Sequence, residues 1–141
     1  MLDIHTARDA FDNMLTYGEH YSGIIYCVFQ PTGFFAGTTF NRINPGYASV
    51  TSEGRLLTVQ TTSLGYFMGN SSAAAYDLNS AEKLKIRKTI IGQYVFSCVF
   101  NEGGSRVKVK FQAARKVFGS SAPEQESNID EFIDIMSRYE I

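Results

Sequence analysis

His5 and His20 are the only histidines of this 141-residue chain, and Cys27 and Cys98 its only cysteines. Any imidazole base, thiolate nucleophile or soft-metal site would have to be built from these four residues. Their spacing argues against each. His5 opens a predicted helix and His20 follows its end, so they lack the close geometry of a zinc pair. Neither cysteine stands in a C-x-x-C spacing, and no histidine is placed beside either of them to raise a nucleophile. Each lies inside an apolar run, Ile24 to Phe29 or Tyr94 to Phe100, where a free thiol behaves as a small buried hydrophobe. Ser71 and Ser72 follow Gly69-Asn70 without the G-x-S-x-G elbow of a strained nucleophile. Gly103-Gly104-Ser105 joins two predicted strands, whereas phosphate-cradling loops lead from a strand into a helix. Asp130 and Asp134 are one helical turn apart on an exposed face, solvated rather than forced to share a proton. Catalysis, a metal and a cofactor are therefore not expected.

The basic residues carry a stronger signal. Residues 1–41 hold four acids and one base, residues 42–118 four acids and eleven bases, and residues 119–141 six acids and one base. A formal net charge of -1 thus conceals a basic middle between acidic ends. The ends either complement the middle within one domain or leave it to display an anion-binding face. Lys83, Lys85 and Arg87 alternate with Leu84 and Ile86, and Arg106, Lys108 and Lys110 with Val107, Val109 and Phe111. Each basic set then projects from one face of its strand. With Gln93, Ser97 or their neighbours between them, the two stripes would form one positive surface. Nucleic acid fits it poorly. Aromatics exposed among the bases are wanting, and the sequence pI is about 6.1.

The elements that must position these residues follow from periodicity. Ile4, Ala7, Ala10, Phe11, Met14 and Leu15 share one helical face, with Asp3 or the Thr6/Asp9 pair as cap and Gly18 as stop. Strands are expected over Ile24 to Phe29, Tyr47 to Thr51, Arg55 to Thr61, Lys83 to Lys88, Tyr94 to Phe100 and Arg106 to Gln112. Residues 31–46 read as a punctuated loop carrying Phe34, Phe35 and Phe40, and Leu64 to Phe67 as the end or sequel of a strand. Ala73 to Leu78 is open between strand and short helix. Ser127 with Asp130 has the capping-box pattern, and Ile129, Phe132, Ile133, Met136 and Tyr139 recur at helical spacing behind it. The whole reads as one α+β domain over 1–141. An N-terminal helix lies within 1–20, a strongly bent antiparallel sheet or partly open barrel spans 22–118, and a capping helix covers 124–140.

In this order the chain resembles bacterial pleckstrin-homology-like domains. The resemblance rests on Val50-Thr51-Ser52-Glu53-Gly54-Arg55-Leu56-Leu57, similar to the family's strand–turn–strand signature. It continues through Tyr76-Asp77-Leu78 running into Leu84-Lys85-Ile86, and through the closing helix Ile129 to Tyr139. It covers roughly residues 22–140. The N-terminal helix, the aromatic segment 31–46, one extra turn residue before Arg55 and the lack of Trp in the last helix depart from the pattern. What the resemblance implies is a seven-stranded bent barrel capped by a helix, used as a binding scaffold for proteins or lipids.

Three functions are then open. The first is a non-catalytic module that binds a protein or an anionic membrane surface through Lys83, Lys85, Arg87, Arg106, Lys108 and Lys110. The second is a self-associating protein, a homo-oligomer whose acidic helix meets the basic sheet of another copy. The third is a small-molecule or enzymatic pocket between the first helix and the sheet, lined by Tyr17, Tyr21, Phe34 and Phe35. With no apolar run of spanning length and no secretory-signal pattern among the acidic first twenty residues, a cytoplasmic protein is expected, at most peripheral to a membrane.

Overall fold

Two kinds of strand follow one another along the chain, and they decide how the sheet is covered. The first strand is apolar throughout, and the next two mix polar and apolar residues without a clean alternation. The late ones alternate, as strands wet on one face do. In the computed structural model, which describes residues 3–30, 44–61, 71–117, 122 and 124–141, both kinds join one sheet. The elements are α1 (Ile4–Met14), β1 (Ile25–Phe29), β2 (Asn44–Val50), β3 (Arg55–Thr61), β4 (Ser71–Asp77), a 3-10 turn (Leu78–Ser80), β5 (Ala81–Lys88), β6 (Gln93–Glu102), β7 (Ser105–Ala114) and α2 (Gln125–Ser137). The seven antiparallel strands lie in the order β4-β3-β2-β1-β7-β6-β5. Two meanders thus meet where β1 pairs with β7, and β4 and β5 form the edges among the described residues.

The inner face holds the main core. Ile25, Cys27, Phe29, Leu56, Leu84, Phe96, Phe100 and Phe111 point into it, and Ile129, Phe132 and Met136 of α2 close it. Phe132 meets Phe96 edge-on at 5.2 Å, a preferred aromatic geometry. The outer face is covered only in part. Ala7 and Phe11 of α1 pack on Tyr47, Leu57 and Val59, so α1 lies over β3 and β4. Strands β2 and β3 are therefore buried on both faces, β1 is fully buried on its inner face and partly covered on its outer one, and β5 and β7 bury one face only.

Several expectations are corrected. β2 begins at Asn44, so Pro45 and Gly46 belong to a strand and not to the loop. Gly46 sits so close to β3 that a Cβ there would lie 2.2 Å from the Val59 carbonyl. Residues 73–77 are strand, pairing with β3, and only Leu78–Ser80 is helical. α1 ends at Met14, short of Gly18, because the chain is drawn down onto the β2–β3 turn by Glu19. Its cap is Asp3, which accepts from the Thr6 amide at 2.8 Å. The capping-box expectation at Ser127 fails, since α2 starts at Gln125 without a side-chain cap. Its first turn is held instead by tertiary hydrogen bonds. Asp130 and Asp134 do stand on an exposed face of α2, where each has a basic partner. Both carboxylate oxygens of Asp130 accept from Arg115, and Asp134 accepts from Arg138 at 3.0 Å. Phe34, Phe35, Phe40 and Leu64 to Phe67 lie outside the described residues.

Candidate anion-binding face

The alternation in β5 and β7 becomes a surface only through register. Lys83 stands opposite Val99 and Val99 opposite Lys108, while Lys85, Ser97 and Lys110 form the next row. A third row holds Arg87, Val95 and Gln112. Strand spacing of about 4.8 Å puts the two basic stripes about 10 Å apart. Both stripes thus share the outer face, and α1 leaves that half uncovered. Ser97 does lie between the stripes, whereas Gln93 pairs with Ala114 beyond them. Arg106 is engaged in an ion pair, its Nε donating to Glu82 at 3.0 Å. Glu82 reaches it from a bulge between Ala81 and Lys83.

The hairpin joining β5 to β6 ends the basic face. Thr89 and Gln93 close it, the Thr89 amide donating to the Gln93 carbonyl at 2.7 Å and the Gly92 amide to the Thr89 carbonyl at 3.0 Å. Gly92 takes φ +82°, a left-handed conformation that glycine accommodates in a three-residue hairpin loop. Ile90 and Ile91 occupy the tip, with relative exposures of 105% and 77%. Beside them stand Arg87 and Lys88, the latter's ammonium 5.8 Å from the Tyr94 ring centroid. Sequence reading missed this tip. Its signal was available, because turn positions seldom carry two β-branched apolar residues.

A second feature sits where the meanders join. β1 pairs with β7 only at Val28–Gln112 and Phe29–Phe111. Continued, that register would pair Cys27 with Ala113 and then Tyr26 with Ala114, but the strands part there and the side chain of Gln125, 2% exposed, fills the gap. Its amide oxygen accepts from the Tyr26 N–H at 2.8 Å, and its Nε2 donates to the carbonyls of Tyr26 and Ala114, each at 2.9 Å. On the outer side of this split is a cleft of about 370 Å³, lined among others by Tyr26, Val28, Gln30, Gln93, Gln112 and Lys116. The three glutamines are already linked, Gln30 to Gln112 at 3.2 Å and Gln112 onward to Gln93.

Of the four residues expected to line an aromatic pocket between α1 and the sheet, Phe34 and Phe35 lie outside the described residues. Tyr17 is fully exposed at 106%, because it lies in the turn after α1 rather than on the helix face. Tyr21 packs edge-on against Phe11 at 5.8 Å and donates to Asp12 at 2.8 Å. Burial and that acceptor raise its phenol to about 12. Tyr21 instead borders a cleft of about 310 Å³ with Arg8, Gly23 and Asn128. His5 and His20 are exposed, and among the described residues no group of three or more His, Cys, Asp or Glu is placed to hold a metal. Both cysteines are free and buried. Burial raises the Cys98 thiol to about 12 and pushes Cys27 well above its ordinary value, so both stay protonated and poorly nucleophilic.

The segment that carried the family resemblance is occupied structurally. Thr51 Oγ1 accepts from the amides of Glu53 and Arg55, each at 3.2 Å, and donates to Glu19 Oε2 at 2.6 Å. Arg55 Nε donates to the same oxygen at 3.0 Å, and its Nη2 reaches Glu19 Oε1 and the Met14 carbonyl. The Arg55 guanidinium, with help from Thr51 and Thr16, holds the Glu19 carboxyl down at about 2.

The chain matches no known family profile and no curated protein sequence. Among solved structures it is similar to the hSac2 domain from the human phosphoinositide phosphatase Sac2, with a TM-score of 0.54 at 8% identity over 96% of this chain and 78% of that one. The class so defined is an α+β domain with an unclosed seven-stranded antiparallel sheet, an N-terminal helix and a C-terminal helix. No helix among the described residues is long and apolar enough to cross a membrane.

Proposed function

We propose that this chain is a non-catalytic binding module of the pleckstrin-homology-like kind, which docks on an anionic phospholipid surface through the outer face of β5 to β7. The observation that carries the reading is the in-register basic face on the half of the sheet that α1 leaves bare. Bases near an anionic bilayer contribute about 1 kcal/mol each, so a face of this size holds a domain reversibly. A second copy as the partner is disfavoured by the acids of α2. Asp130 and Glu126 are engaged by Arg115, Asp134 by Arg138, and Glu131 accepts from the Gly23 amide. The sandwiched apolar clusters and high-lying thiols give no support to a catalytic reading.

Cosedimentation with phosphatidylcholine vesicles, with and without phosphatidylserine and at low and physiological salt, tests the proposal. Binding is expected only with phosphatidylserine, falling with salt. Lys83→Glu/Lys85→Glu should weaken it by about thirtyfold or more. Failure to bind any vesicle would overturn the lipid reading and turn the search for a partner to acidic proteins.

A further inference from the structure

We infer that the β5–β6 hairpin tip is a membrane wedge: Ile90 and Ile91 enter the interfacial layer of an anionic bilayer while Arg87 and Lys88 rest among its headgroups. This rests on the reading of the β5–β7 face as a membrane-docking surface and adds the orientation in which it docks. Three observations carry it. The two isoleucines are among the most exposed large apolar side chains of the described residues, and they adjoin one another at the end of the basic face. The loop is held shut by backbone hydrogen bonds between Thr89, Gly92 and Gln93, and Thr89 Oγ1 accepts from the Gln93 amide at 3.1 Å. The pair is thus presented on a preformed support, with little ordering left to occur on binding. Finally, residues 83–88 carry four bases and no acid, so the charge around the apolar tip complements anionic headgroups. An acidic protein surface would match the bases but offer no apolar layer to the tip. A neutral apolar groove would do the reverse.

The chain has no tryptophan, so Ile91→Trp introduces the sole indole as a reporter. Its emission should shift to the blue on phosphatidylserine-containing vesicles and be quenched by bromine on the acyl chains. In parallel, Ile90→Ser/Ile91→Ser should weaken binding at physiological salt by about tenfold or more, yet keep salt-sensitive binding at low salt. Both substitutions are at exposed positions, and an unchanged melting temperature verifies the fold. Cosedimentation with the indole left at its aqueous emission, and the double-serine variant binding like the parent, would overturn the wedge and leave charge-only docking. Equal binding to neutral and anionic vesicles, lost in the double-serine variant, would support the wedge and overturn the electrostatic face. Absence of binding to every vesicle would overturn both.

Discussion

Glu19 and Arg55 show how one ion pair can decide the course of a chain. The carboxylate side chain is fully buried, and its partners come from both sides of a sequence gap of more than thirty residues. Removing one member of a buried pair leaves the other uncompensated. Arg55→Ala should therefore destabilise by about 3 kcal/mol in urea unfolding, and Thr51→Val by about 1 kcal/mol. The pH dependence has a definite sign. Because Glu19 is held at about 2, below its ordinary 4.5, its contribution is complete above pH 4.5 and is lost as pH falls towards 2. Glu19→Gln should be less stable than the parent at neutral pH and show a shallower loss over that acid range. A difference that does not narrow with acid would contradict this account. None of it was visible in composition. Arg55 was legible as a motif residue, but Glu19, in the turn after a helix, had no pattern to mark it.

At the scale of elements, the periodicities were informative where one face is wet and mute where none is. Alternation placed β5 and β7 and the direction of Lys83, Lys85, Arg87, Lys108 and Lys110 correctly. The unbroken run from Ile24 to Phe29 signalled a buried strand without saying what buries its second face. That cover is partial: the α1 cluster, anchored by Phe11 at 0% exposure, takes in Ile24 and Tyr26, while Val28 borders a cleft. Phe11→Ala should cost about 3 to 5 kcal/mol and speed amide exchange in α1 and β3 more than in β6. Uniform acceleration across the sheet would instead mean that α1 is not a separable unit. The start of α2 escaped sequence reading for a related reason. A capping box is a local signal, whereas Gln125 is fixed by two strands remote in sequence. Gln125→Leu leaves three buried backbone groups without their partner, each lost hydrogen bond costing about 1 kcal/mol or more. Its mark should be faster exchange of the Tyr26 amide, which donates to Gln125.

Over the whole molecule, the charge segregation has a partly internal explanation. The acidic ends do complement the basic middle through Glu19–Arg55 and through Asp130 and Glu126 with Arg115. The outer face of β5 to β7 keeps a surplus of bases over acids, and vesicle binding that weakens with salt is the expected consequence. Uneven cover of the sheet also bears on how such a chain can change through descent. On β2 and β3 nearly every position answers to a packing neighbour, so drift there is confined to volume-conserving exchanges. On β5 and β7 every second position faces outward, away from the core. A saturation-mutagenesis map should therefore show two textures within one sheet, intolerant on one half and striped with period two on the other. The striped half is where descendants of this domain can alter their surface while the fold stays as it is.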